Sequence, residues 1–93
     1  MTATMHYNKT KTYTGNKIGQ PLNEQVARAV KSYFDNLGEQ VPENVYELVL
    51  NEIELPLLKE TMNYCRHNQS QAARILGINR GTFRKKLAFY GML

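Results

Sequence analysis

The sequence predicts an all-α chain of four helices per subunit, and three observations carry that prediction. Apolar residues recur at three- and four-residue steps from Leu22 to Leu37 and again from Val45 to Cys65. Residues 69–87, QSQAARILGINRGTFRKKL, read as two short helices joined by a tight turn. Candidate N-caps, Asn44, Asn68 and Asn79, stand ahead of the last three helical stretches.

Ninety-three residues make one small domain. Residues 1–20 are rich in Thr, Lys, Asn and Gly and predict a mobile N-terminal arm. Tyr7, Lys9, Lys11 and Tyr13 alternate ahead of Gly15-Asn16, which admits a short β-hairpin; simple disorder accounts for the same composition. Residues 21–66 are expected to form a helical dimerisation core and residues 67–93 a helix-turn-helix.

In the first helix, residues 22–37, Leu22, Val26, Ala29, Val30, Tyr33, Phe34 and Leu37 share one face. Pro21 suits its opening turn and Gly38 its end. Asn44 and Glu47 have capping-box spacing and should start a second helix that runs to about Cys65. Its stripe (Val45, Leu48, Val49, Ile53, Leu57, Leu58, Met62 and Cys65, flanked by Tyr46, Leu50, Leu55 and Tyr64) is wider than one partner helix covers. Pro56 removes a backbone hydrogen bond and predicts either a kink or two abutting helices, the continuing stripe favouring the kink. So much apolar surface in so short a chain predicts a homodimer core of two helices from each subunit. The aromatic residues at helical spacing are read as core, and Phe89, Tyr90, Met92 and Leu93 as terminal apolar cover.

The third helix opens at Asn68, with Gln71 in the capping-box position, and carries Ala72, Ala73, Ile75 and Leu76. Gly77 ends it at positive φ and Ile78 packs back. Asn79 caps the fourth helix, residues 80–87. Small Ala73 lies four residues before the turn glycine, and apolar Phe83 six after it. That spacing is the one by which a DNA-binding helix-turn-helix crosses its two helices closely.

Charge points the same way. The formal net charge is +4, but all eight acidic residues lie between positions 24 and 60. The end of the chain carries Arg66, Arg74, Arg80, Arg84, Lys85 and Lys86 and no acid. An acidic middle with an acid-free basic end fits a polyanion-binding module on a non-binding body. An α-helix fits the B-DNA major groove, and its first residues meet base edges first. Here those are Asn79, an amide that can cap or pair with a base, and Arg80, which can donate two bonds to guanine O6 and N7. Gly81 leaves room for close approach to the duplex. Thr82, Arg84, Lys85 and Lys86 suit phosphates, as do the backbone N–H groups of Asn68, Gln69 and Ser70 at a helix N-terminus. Arg74 either contacts a phosphate or solvates its helix, and Arg66 complements a helix dipole.

Catalysis and metal or cofactor binding find little support. Cys65 and His67 lack a second cysteine or a paired acid to complete a zinc site or a nucleophilic triad, so Cys65 reads as a core thiol. No cofactor is expected. One cysteine excludes an internal disulfide, no apolar run reaches membrane-spanning length, and no secretory signal is visible, so a cytoplasmic protein is expected.

At NRGTFRKKLAFYGM, and back through YELVLNEIELPLLKETMNYCRHNQSQAARILGI to Pro21-Leu22, the chain closely resembles the Fis (factor for inversion stimulation) family of bacterial nucleoid proteins. The resemblance implies an intertwined helical homodimer with a C-terminal helix-turn-helix on each subunit. In that family the recognition helices lie closer than one DNA turn, so the DNA bends, and a narrow A·T-rich minor groove is preferred at bases no side chain touches. It further implies nucleoid organisation, regulation of transcription with RNA polymerase as a partner, and a recombination role with a site-specific recombinase. Carried across by position, Asn79 and Arg80 are the base-edge residues. Asn68, Ser70, Thr82, Arg84, Lys85 and Lys86 are the phosphate contacts. The sequence departs at Gln71 and at Ala88-Phe89, where the best-known members place basic residues, which predicts weaker flanking contacts. At Lys11, Gly15 and Lys17 it lacks the family's acidic and apolar arm residues, which argues against stimulation of a DNA invertase.

The same helix-turn-helix also ends enhancer-binding activators that carry an ATPase domain, absent from this sequence; that is a kinship of fold. The reading is therefore a non-enzymatic, homodimeric, DNA-bending nucleoid protein located in the cytoplasm at the nucleoid. Two alternatives stand beside it: a helix-turn-helix repressor of a few dedicated operators, and a dimeric protein-interaction module.

Overall fold

In a computed structural model, residues 21–93 are described; the arm and its possible hairpin lie outside them. The described residues form four helices, α1 (Leu22–Asp35), α2 (Val45–Tyr64), α3 (Gln69–Leu76) and α4 (Arg80–Phe89). The described residues divide into two compact units, the first ending at Glu43 and the second Asn44–Leu93.

In the first unit Pro21, in extended backbone, immediately precedes α1, and its carbonyl accepts from Glu24 N and Gln25 N. The helix stops at Asp35, two residues before the expected Leu37. Asn36 turns its own side chain back, its Nδ2 donating to the Ser32 carbonyl at 2.8 Å, and Gly38 takes a positive φ of 65°. The same Ser32 carbonyl also accepts the Asn36 backbone N–H, so the side-chain amide adds a second bond at the helix end. None of the α1 residues is buried, and Phe34 remains 47 % exposed.

The second unit holds the core. Leu58 and Met62 of α2, with Cys65 just after it, meet Ala72 and Ala73 of α3 and Phe83 and Leu87 of α4. Leu76, Ile78, Tyr90 and Met92 close the edges. Phe83 and Leu87 are fully enclosed, and the small Ala73 sits in the same cluster, as the helix-turn-helix spacing requires. Cys65 is a core thiol. α2 runs through Pro56 as one helix, which excludes two abutting helices. Thr61, buried beside the core, satisfies its hydroxyl by donating to the Leu57 carbonyl at 2.7 Å.

Several readings need correction. Asn44 precedes α2 but forms no capping box: its φ of 55° is left-handed, and a capping side chain needs extended backbone to reach back. Asn68 Oδ1 does accept from Gln71 N at 3.0 Å, but the Asn68 N–H goes to the Cys65 carbonyl, so Gln71 has no reciprocal bond to make. Ile75 is 51 % exposed, because the inner face of α3 is already filled by Ala72, Ala73 and Leu76. Phe89 and Leu93 are likewise exposed, and of the terminal four only Tyr90 and Met92 cover the core. Tyr46 and Tyr64 are not core residues within this chain, each standing 78 % exposed on α2.

Three helices end in the same way. After α3, Gly77 N donates to Arg74 O and Ile78 N to Ala73 O; after α4, Gly91 N donates to Ala88 O and Met92 N to Leu87 O. After α2 the pattern repeats as Arg66 N to Asn63 O and His67 N to Met62 O. These are paired Schellman-type closures, and each needs a left-handed residue. Gly77 and Gly91 supply it without a Cβ, but the third is Arg66, at φ 52°. A left-handed non-glycine residue costs roughly 1–2 kcal/mol, against which glycine gives back part in unfolded-chain entropy. Arg66→Gly is therefore expected to stabilise the fold by about 0.5–1 kcal/mol. Urea unfolding checks this; an unchanged or lower midpoint would contradict it.

Candidate nucleic-acid interface

The two N-termini of the helix-turn-helix are built alike. Asn68 caps α3, and Asn79 caps α4 with Oδ1 accepting from Gly81 N at 2.7 Å and Thr82 N at 3.3 Å. Asn79 thus spends its oxygen on the cap and keeps its amide N–H group for another partner. Gly81 has a local reason beyond close approach to a duplex: a Cβ there would lie 3.0 Å from Asn79 Oδ1 and crowd the cap.

Helix macrodipoles favour acids in the first turn. Glu24 and Glu47 occupy it in α1 and α2, whereas the first turns of α3 and α4 contain none. Arg80 even opens α4 with a cation, which opposes the dipole. Both N-termini of the helix-turn-helix are thus left without an acid of their own.

Helical geometry distributes the α4 side chains. Phe83, Leu87 and then Tyr90 turn inward. Lys85 lies opposite them, with Arg80 and Arg84 along one flank and Thr82 and Lys86 along the other. The Arg84 guanidinium donates to Gln69 Oε1, which ties that flank to the opening of α3. Of the predicted residues, Asn68, Ser70, Arg74, Asn79, Arg80, Thr82, Arg84 and Lys85 are exposed, while Gln69 and Lys86 are half-buried. The structure brings Gln69 and Arg84 together. Among the described residues, Arg74, Arg80 and Lys85 meet no acid, and Arg74 stands in the last turn of α3.

Lys86 is held differently. Its Nζ lies 2.8 Å from Glu54 Oε2 on α2, while the Tyr90 hydroxyl donates to Glu54 Oε1 at 2.7 Å with Asn51 Oδ1 at 3.1 Å. Sequence reasoning missed Glu54, Asn51 and Tyr90 as a group. The available signal was the buried register of α2: one and two turns back from Leu58, it lands on polar Glu54 and Asn51 rather than on aliphatic residues.

The Lys86 hydrogen bond, more than the smaller opposing effect of burial, holds the Glu54 carboxyl below its ordinary range, helped by Tyr90. Burial first, then the Glu54 carboxylate, pushes the Tyr90 phenol up to about 12. A carboxyl depressed by folding contributes stability that is fully present above its unfolded pKa, about 4.3, and lost as pH falls through the lower folded value. The Tyr90 contribution holds below about 10 and is lost as pH rises through its folded value. Wild type minus Glu54→Gln stability should thus be flat from about pH 6 to 8 and close below about pH 4. Urea unfolding across that range tests it, and a difference that widens on acidification would refute it.

A helix-turn-helix with two capped, acid-free N-termini and an outward cationic helix defines a nucleic-acid-binding class of protein. Comparison with known proteins narrows the class. The profile of a family described as "Bacterial regulatory protein, Fis family" matches residues 49–90. "DNA-binding protein Fis" of Glaesserella parasuis is 54% identical over 76 residues, spanning 82% of this chain and 78% of that protein. The proteins of that name from Psychromonas ingrahamii and Escherichia coli are each 53% identical, over 85% and 78% of this chain and 80% and 74% of their own length. The chain belongs to the Fis family, a family of regulatory proteins, and it is not an enzyme.

Proposed function

We propose that this chain binds and bends double-stranded DNA as a homodimer, organising the nucleoid and regulating transcription. The observation that carries the reading is the outer surface of the helix-turn-helix, where Arg80 and Lys85 stand exposed with no carboxylate partner among the described residues, above two capped helix N-termini. Its relatives' shared name supports DNA as the ligand. In this reading α4 enters the major groove, Arg80 and the Asn79 amide meet base edges, and Asn68, Gln69, Ser70, Arg74, Thr82, Arg84 and Lys85 lie along phosphates.

The dimer is supported by apolar side chains that α2 leaves uncovered, among them Leu50 at 39% and Leu57 at 50% exposure, two turns apart on one face of the helix. A contiguous patch of that kind favours association. Two recognition helices held close together would require the duplex to bend and so to be read by its deformability. RNA polymerase is the partner this role implies. Departures at Lys11, Gly15 and Lys17 argue against a recombinase partner.

Binding to two duplexes of about 25–30 bp tests the proposal. Both carry the same guanines near their ends; one has an A·T centre and the other a G·C centre. Markedly tighter binding to the A·T centre is the expected result, and equal binding would overturn indirect readout. Lys85→Ala should weaken both duplexes alike and reduce the salt slope by about one unit per subunit. A loss confined to one duplex would show that Lys85 contacts a base.

A further inference from the structure

Among the described residues, Lys86 is the one cation of the basic end that a carboxylate neutralises. Its partner is well shielded, with the Glu54 side chain only 17% exposed and Lys86 34%, whereas the surface pair Lys31–Asp35 stands at 77% and 59%. Both Glu54 oxygens are engaged, one by Lys86 and one by Tyr90. Glu54 therefore cannot follow Lys86 outward without releasing Tyr90.

We propose that Glu54 and Tyr90 hold Lys86 as a clamp that seats α4 against α2, and that Lys86 thereby stands outside the set of cations that neutralise DNA phosphates. The inference rests on the DNA-binding reading. Lys86 and Tyr90 lie four residues apart on one side of the helix end, so two bonds to one carboxylate restrain both the tilt and the rotation of α4. Rotation of α4 decides where Arg80 and Asn79 point in a groove, which makes Glu54 a positioning residue for sequence discrimination. Drawing Lys86 to a phosphate would leave Glu54 unpaired beside a polyanion, a like-charge contact. A cation already neutralised within the protein also releases few counterions.

Salt-dependent binding of the full chain to two duplexes tests this, one with terminal guanines and an A·T centre, the other of equal length with those guanines removed. Lys86→Met should leave the salt slope at the wild-type value while narrowing the affinity ratio between the duplexes. Glu54→Gln keeps acceptors for Tyr90 but frees the Lys86 charge. It should steepen the slope by about one unit per subunit and tighten binding to the guanine-free duplex several-fold. Lys85→Ala is the control that flattens the slope. Should Lys86→Met flatten it as much as Lys85→Ala does, with the ratio unchanged, Lys86 is an ordinary phosphate contact and the clamp is overturned. A wild-type slope in Glu54→Gln overturns it equally, and Lys86→Met decides alone if that variant fails to fold. A wild-type chain that binds neither duplex overturns the DNA-binding reading, and this inference with it.

Discussion

Phe83→Ala is expected to cost about 3–5 kcal/mol of folding stability, the largest effect of any single change considered. Phe83 is fully enclosed at the point where α3 crosses α4, against Leu58 of α2 and beside Ala72 and Ala73. Truncation removes the transfer free energy of the ring and leaves a cavity. The Ala pair cannot fill it, having no side chain beyond Cβ. By comparison an exposed ion pair such as Lys31–Asp35 contributes roughly 0–1 kcal/mol, so the seat of α4 depends on packing far more than on surface charge. A small domain has about 5–15 kcal/mol in total, and the variant should be partly unfolded near body temperature. Urea unfolding at fixed protein concentration measures the loss, concentration mattering because a dimer couples folding to association. A loss under about 1 kcal/mol would mean that the helices close over the gap, against the packing described.

Arg80→Ala is expected to weaken binding to a guanine-bearing duplex by about 1–3 kcal/mol, or roughly 5- to 150-fold, with much less loss on a duplex lacking those guanines. The residue is exposed, opens α4 and meets no carboxylate among the described residues, so nothing in the folded chain depends on its charge. Because a cation at a helix N-terminus opposes the macrodipole, the variant should fold at least as stably as wild type. Stability retained while discrimination falls separates recognition from scaffolding. Equal losses on the two duplexes would make Arg80 one more phosphate contact, and unfolding of the variant would contradict the structural part of the argument.

Much of this molecule was legible from residue spacing alone because its determinants are local. Gly77 at positive φ, the Asn68 and Asn79 caps, and the Ala73–Gly77–Phe83 interval each act within one turn of helix or across a single tight turn. Local chemistry also misled where backbone and side chain compete. Asn44 and Glu47 have the spacing of a capping box, but the left-handed backbone at Asn44 prevents the bond. At the end of α1 the Asn36 side chain adds its own bond to the Ser32 carbonyl, and the helix ends ahead of the glycine.

The sequence by itself determined the four-helix plan, the helix-turn-helix and the basic surface, since periodicity, caps and net charge do not depend on how helices cross. Only the tertiary structure decided how the cations of α4 are shared out. Arg84 meets Gln69 of α3, Lys86 meets Glu54 of α2, and Arg80 and Lys85 face outward. The reason is physical: Lys86 and Glu54 lie on different helices, 32 positions apart in the numbering, and no local rule states which flank of α4 faces α2. That follows from the packing of Phe83 and Leu87 on Leu58, which sets the rotation of the helix and so the partner of every side chain around it.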